Sequence, residues 1–244
     1  MRTQSATQSE VGTGPSDVRL DSGETLAQAA YRALRADIIR GVRPPGERLR
    51  IEKLKSLYAV GPTPLREALQ MLVADQLVVT EGNRGFTVAP LDFQEFDDLN
   101  LARTAIELAA LRLSIAKGDE DWEAGVVAAA YLMKKQDEVL QHSGTGVPDA
   151  WEAANASFHT AMVAACGSQW LLKVRASLHD QCARYRRVSV YQKRGERDLN
   201  LEHQRIAEAV LARDADLACS LIERHFALTA SSLSDAPGIG AHGE

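Results

Sequence analysis

The chain is short of several things, and each shortage closes a class of explanation. It has 3 cysteines in 244 residues. Cys166, Cys182 and Cys219 are too few and too scattered for a disulfide framework or a paired-cysteine metal site. Each falls in a helical pattern, so they are expected as buried free thiols in a reducing cytosol. No apolar run approaches the roughly 20 residues that span a bilayer, and residues 1–22 lack the apolar core of a signal peptide. The expected setting is therefore cytoplasmic, with no membrane partner. HExxH and nucleophile-elbow motifs are absent. Strong charge is missing too: a net charge of −5 argues against a protein that coats nucleic acid through its overall field.

The charge is unevenly placed. Residues 24–91 carry 10 Lys/Arg against 7 Asp/Glu, whereas residues 92–244 carry 16 against 23. A small basic surplus in the first segment suits phosphate contacts, but it is too small to hold DNA alone. Affinity would have to come from dimerisation and from particular side chains.

The stretch from Gly61 to Leu72, GPTPLREALQML, organises that segment. Thr63-Pro64 reads as a helix start, with a capping hydroxyl and proline at the first helical position. Leu65, Leu69 and Leu72 then recur at helical spacing with Ala68 on the same face, while Arg66, Glu67 and Gln70 point elsewhere. A short helix over residues 51–58 precedes it, joined by the turn Ala59-Val60-Gly61-Pro62. Two short helices about a tight turn make a helix-turn-helix, whose second helix enters a major groove. Residues 76–80 and 86–89 read as two strands around the turn Glu81-Gly-Asn-Arg-Gly85. A hairpin in that position is a wing. An earlier helix over residues 26–40, with Leu26, Ala30, Leu34 and Ile38 in one stripe, completes a winged helix-turn-helix domain at 24–91.

Pro45-Gly-Glu-Arg-Leu49, Thr63-Pro-Leu-Arg-Glu-Ala-Leu69, Leu77-Val78 and Arg84-Gly-Phe-Thr-Val88, in that order, resemble the GntR family of bacterial transcription regulators. The resemblance implies a dimer on a palindromic double-stranded DNA operator. Arg66, one turn into the recognition helix, is placed to grip a guanine edge or a phosphate. Thr63 can donate to phosphate, Arg50 and Lys53 open the preceding helix, and Arg84-Gly85 form the wing tip. Many family members have Ser-Arg where this chain has Gly61-Pro62, so one customary arginine contact is missing.

Residues 1–23 and 234–244 are polar and read as disordered tails. Between them, residues 92–233 show no convincing strand. Helices are expected over 93–117, 119–141, 148–165, 170–192, 196–213 and 214–231, with Asp92 as a cap. The fold class is therefore mainly α: a winged helix with a small β wing, then an all-α bundle of six to seven helices that can enclose a pocket.

Three histidines lie on apolar stripes of three different helices in that bundle. His159 has Ala156, Met162, Val163 and Cys166 around it in helical register. His203 has Leu199, Ile206, Ala207 and Val210, and His225 has Leu221, Ile222 and Leu228. One inward histidine is ordinarily a satisfied core residue. Three facing one interior need three buried partners, and a bound cation supplies them together. Asn155, four residues before His159, projects from the same face. Arg103 also looks inward, from the stripe Leu99, Arg103, Ile106, Ala110, Leu113; it could pair with Glu107 one turn away or grip a ligand carboxylate. His142, His179 and His242 do not share the pattern and are expected at the surface. Trp122, Trp151 and Trp170, near helix starts, read as packing residues.

The bundle resembles the FCD subgroup of the family, whose helical domains sense small carboxylates, often beside a metal. The resemblance implies Asn155, His159, His203 and His225 as metal ligands, with Asn155 standing where a carboxylate is common. Three imidazoles and no thiolate favour a divalent transition metal, Zn²⁺ first, with nickel or manganese as alternatives. It also places Arg103 at the effector, with Arg184 and Tyr185 as further pocket residues. Stretches such as Phe158-His-Thr-Ala161, Cys166-Gly-Ser168 and Ala183-Arg-Tyr-Arg186 are most similar to glutarate-responsive repressors of the subgroup, which implies a short dicarboxylate effector. Two rival readings use the same histidines: a metal-dependent enzyme, or plain core residues in a regulator without an effector.

Overall fold

A computed structural model describes residues 14–80, 85–142, 147–192 and 197–234 and divides the chain into two units, residues 1–89 and 90–244. In the first unit, α1 (Leu26–Ile39) begins in a capping box. The Thr25 hydroxyl accepts from the Gln28 N–H, and the Gln28 side chain accepts from the Thr25 N–H. Ala30, Leu34 and Ile38 are buried as their spacing predicts, whereas Leu26, in the first turn, is 41% exposed. Part of the expected N-terminal tail carries structure: the Ser16 N–H and hydroxyl both donate to the Asp37 carboxylate.

Helix α2 (Ile51–Tyr58) ends at Ala59 in the left-handed conformation, φ +53°, and Val60 is buried in the turn that follows. Helix α3 (Pro62–Ala74) starts earlier than Thr63-Pro64 suggests. Gly61 is the cap, its carbonyl accepting from the Leu65 N–H at 3.3 Å, and Pro62 takes the first helical position. The cause is that the first-turn N–H groups of a helix have no intrahelical acceptor, so both prolines fit there at no cost. Thr63 is thereby an exposed second-position residue and makes no capping bond. The face is as expected: Leu65, Ala68, Leu69 and Leu72 are fully buried, and Arg66, Glu67 and Gln70 are exposed.

The wing pairs β2 (Val78–Thr80) with β3 (Phe86–Val88), Val78 opposite Val88 and Thr80 opposite Phe86. A third strand, β1 (Arg48–Leu49), was not expected. It pairs with the other edge of β3, giving the order β1-β3-β2. Gly46, at φ +79°, turns the chain into it, and the Gly46 N–H donates to the Val88 carbonyl at 3.0 Å. Two residues are too short to show a period of two, so the strand left no pattern in the sequence.

The second unit is helical: α4 (Phe93–Lys117), α5 (Glu120–His142), α6 (Asp149–Val163), α7 (Gln169–Gln192), α8 (Leu199–Leu211) and α9 (Ala215–Ser234), with a 3₁₀ turn at Ala164–Cys166. Asp92 caps α4 as expected, accepting from the Gln94 N–H at 2.8 Å. Helix α4 packs against α6, α7 and α9, and α8 against α5 and α9. The core contains Leu111, Met133, Trp151, Phe158, Met162 and Phe226. Cys166, Cys182 and Cys219 are buried and unpaired. Gly118 is required where it stands, because a Cβ there would lie 2.1 Å from the Trp122 ring. Trp122 and Trp151 pack as expected, but Trp170 is 73% exposed, with Lys173 over its ring. No described helix is long and apolar enough to cross a membrane.

Candidate metal and effector site

His159 on α6, His203 on α8 and His225 on α9 come together inside the bundle. Each is buried and offers one ring nitrogen, and the three nitrogens lie within 4.8 Å of one another. Three imidazoles at that spacing can share one cation. Burial, with His225 and Arg103 nearby, pushes His159 well below its ordinary value. Burial also takes His225 down to about 3, against the pull of Glu202. Both rings are neutral at physiological pH, the form in which imidazole is a ligand.

Two of the three rings, His203 and His225, have their Nδ1 held by a carboxylate, whereas His159 Nδ1 has no hydrogen-bond partner. His203 Nδ1 lies 2.7 Å from Asp137 Oδ2, and Asp137 Oδ1 accepts from Trp151 Nε1 at 2.8 Å. His225 Nδ1 lies 2.8 Å from Glu202 Oε2, which also accepts from Arg197 at 2.6 Å. Burial works against the Glu202 charge, but bonds from His225 and Arg197 more than reverse that and hold its carboxyl at about 2. A carboxylate on Nδ1 fixes the tautomer that leaves the Nε2 lone pair free, a common arrangement behind metal-ligating histidines. His203 Nε2 is buried with no hydrogen-bond partner, and so are both Oδ1 and Nδ2 of Asn155, a residue 1% exposed. Buried polar atoms are nearly always satisfied. These orphans beside a convergent histidine trio fit a cation held by His159, His203 and His225, with the Asn155 amide oxygen in reach of the same interior.

Arg103 is 4% exposed, with its guanidinium 3.7 Å from the centre of the Phe226 ring. It does not pair with Glu107. That carboxylate is gripped by Arg175 instead, at 2.9 and 3.1 Å, and lies 3.8 Å from His159 Nδ1. Arg103 Nε has no partner, and no carboxylate pairs with Arg103 among the described residues. A buried guanidinium without a carboxylate is a costly arrangement that an anionic ligand would relieve.

Arg184 and Tyr185 lie elsewhere. The Tyr185 hydroxyl accepts from the Asp92 N–H at 3.3 Å, and its ring stacks on Phe96 at 4.6 Å. Phe96 precedes Glu107 by three helical turns, roughly 16 Å along α4, so this pair sits at the start of α4 rather than with the histidines. The residues of α7 that do face the interior are Arg175, His179, Cys182 and Arg186, all buried. Their spacing of four, three and four is an inward helical stripe, a signal available in the sequence that its polar members concealed. His179, expected at the surface, is 7% exposed, and burial drives it to about 3. Arg186 is paired with Glu152 at 2.7 Å. His142 is exposed, and His242 lies outside the described residues.

In the first unit Arg50, Thr63 and Arg66 are exposed, with no ion pair among the described residues. Lys53 is exposed but pairs with Glu47 at 3.1 Å. Gly85 holds φ +110° at the foot of the wing, a conformation that favours glycine. Arg84 lies outside the described residues.

A winged helix followed by an all-α bundle is the plan of a bacterial transcription regulator. The chain belongs to the GntR family of bacterial regulatory proteins, residues 26–88 matching that family and residues 98–228 matching the FCD domain. It is 42% identical to the HTH-type transcriptional repressor GlaR of Escherichia coli K12, over 80% of this chain and 90% of that one. It is 39% identical to the HTH-type transcriptional regulator BphR of Paraburkholderia xenovorans LB400, over 86% of each. The fold matches a GntR regulator structure from Rhodococcus sp. RHA1, with a TM-score of 0.71, 23% identity, and coverage of 86% of this chain and 98% of that one. These relatives are regulators of transcription, and the chain is a DNA-binding regulator rather than an enzyme.

Proposed function

We propose that the protein is a cytoplasmic homodimeric repressor that binds a palindromic operator and releases it when a short dicarboxylate such as glutarate enters the bundle beside a divalent metal, zinc first. The observation that carries the reading is the convergence of three buried imidazoles next to the unsatisfied Asn155 amide. His159, His203 and His225 would hold the metal, with Asn155 as fourth donor, and a bound metal would supply a Lewis-acidic site for one carboxylate. Arg103 is placed for an anionic group, since it alone of the interior arginines Arg103, Arg175 and Arg186 lacks a carboxylate among the described residues. None of these donors is a carboxylate or a thiolate, so an acidic effector would offset the metal's charge. Repression is supported by the name of the relative GlaR.

In the first unit, Arg66 and Thr63 on α3, Arg50 and Lys53 at the start of α2, and Arg84-Gly85 at the wing are the proposed DNA contacts. Pairing through the helical unit is supported by Val127, Tyr131, Leu132 and Val139 on α5, each more than half exposed at 52, 58, 55 and 51%. An effector can shift DNA affinity only by its own difference in affinity between the two arrangements of the dimer. The test is a thermal-melt panel of short dicarboxylates on metal-loaded and metal-stripped protein, followed by operator binding with the best acid. A stabilising shift that needs the metal and lowers DNA affinity supports the reading. No shift with any acid overturns the effector, and a shift that survives stripping moves its binding to Arg103.

A further inference from the structure

The groove between α8 and α9 is a half-open pocket of about 350 Å³, within the usual range for a small-molecule site. Its lining is two-sided in character. Leu201, Ile206, Leu221 and Leu228 supply an aliphatic wall, Arg197, Arg205 and Arg224 supply three guanidiniums, and His225 of the histidine cluster borders it as well. Two carboxylates also line it, and both are engaged. Asp198 caps α8 by accepting from the Leu201 N–H at 3.0 Å, and Glu202 is held by Arg197 and His225. That leaves Arg205 and Arg224, exposed and on facing helices, with no ion pair among the described residues. Like charges lining one groove give it a positive potential that favours an anion there. The leucines beside them would lose contact with water if that anion carried an apolar body.

We propose that this groove is a second ligand site, for a monocarboxylate with a short aliphatic chain, distinct from the metal-facing side of the histidine cluster but bordering it at His225 and coupled to it. The carboxylate is held by Arg205 and Arg224, and the chain lies on Leu201, Leu221 and Leu228. Coupling runs through Arg197, which donates to Glu202 at 2.6 Å and to the His225 carbonyl at 2.8 Å. A carboxylate in the groove competes with Glu202 for Arg197 and so alters the group that orients His225. Binding itself is independent of the metal; only the coupling rests on the function proposed above.

The test is calorimetric titration of the full chain with hexanoate and acetate, using the parent and the Arg205→Gln/Arg224→Gln variant, each with and without metal. Both arginines are exposed, so the variant should keep the parent's melting temperature. Saturable hexanoate binding is expected in the parent whether or not metal is present. It should weaken about tenfold in the variant, the loss of two part-exposed ion pairs, and acetate, which cannot reach the leucines, should bind more weakly. Absence of saturable hexanoate binding, or equal affinity in the variant, overturns the site. In cobalt-loaded protein, hexanoate should shift the visible absorption; an unchanged spectrum with hexanoate bound overturns the coupling. Failure to form any cobalt spectrum would instead count against the metal reading.

Discussion

Asp137 offers the sharpest test of how the histidine cluster is held. It is 1% exposed and receives two donors on its two oxygens: Trp151 Nε1 at 2.8 Å on Oδ1 and His203 Nδ1 at 2.7 Å on Oδ2. Asp137→Asn keeps the shape but turns one acceptor into a donor. If the amide oxygen stays with Trp151, the NH₂ faces His203 and favours the tautomer with the proton on Nε2, where the metal lone pair should be. If the oxygen turns to His203, the NH₂ opposes the indole N–H. Either way one buried donor loses its acceptor, a cost of about 1–3 kcal/mol, or a fall in melting temperature of roughly 2–4 °C for each kcal/mol. Zinc affinity should fall about 10- to 100-fold, as when other carboxylates behind metal-bound histidines are removed, which is about 1.4–2.7 kcal/mol. Competition against a chromogenic chelator gives the affinity, and melts of metal-stripped protein separate the stability cost. Zinc affinity and melting temperature both equal to the parent's would show that Asp137 neither orients His203 nor holds Trp151.

Three further outcomes follow from particular contacts. Arg66→Ala, at an exposed position, should leave stability unchanged and weaken binding to an operator selected from random-sequence DNA by about 1–3 kcal/mol; unaltered anisotropy titrations would remove Arg66 from the reading head. Arg175→Met strands Glu107, 1% exposed, without its guanidinium. It should cost about 3–5 kcal/mol, part of which returns when Glu107→Gln is added; a double variant as unstable as the single one would refute the pairing. Asp37 should give the first unit an acid-sensitive component. Burial raises its carboxyl pKa, but donors from Tyr58, Ser16 and Arg40 outweigh burial and hold it below its ordinary value. With the folded value depressed, this stabilisation is complete above the unfolded value of about 4 and is lost as pH falls through the folded one. Melts across that window should show a shallower acid slope for Asp37→Asn, and parallel slopes would contradict the linkage.

How much was legible depends on whether a feature repeats along the chain. Helix α4 is legible to both ends, 93–117, because its apolar residues recur for seven turns and Asp92 and Gly118 bound it. The inward faces of His159, His203 and His225 were legible for the same reason. Strand β1 was not, being two residues long, and neither was the start of α3, where prolines at Pro62 and Pro64 suit the first turn equally. His179 reads as a surface residue in the sequence because its stripe partners on α7 are Arg175 and Arg186, and apolarity is the usual sign of an inward face. Those arginines are buried only because Glu107 and Glu152 come to them from α4 and α6.

By itself, the sequence determined the winged helix, the six helices behind it and the three histidines that face inward. These are consequences of periodicity and of turn chemistry, which act over a few residues at a time. Tertiary structure alone decided what those histidines meet. His203 finds Asp137 66 residues away, Arg175 rather than Arg103 takes Glu107, and Arg184 and Tyr185 fall at the start of α4 instead of beside the cluster. Such pairings depend on how helices are stacked and rotated against one another, and a side chain's spacing along its own helix carries no record of its neighbour's choice.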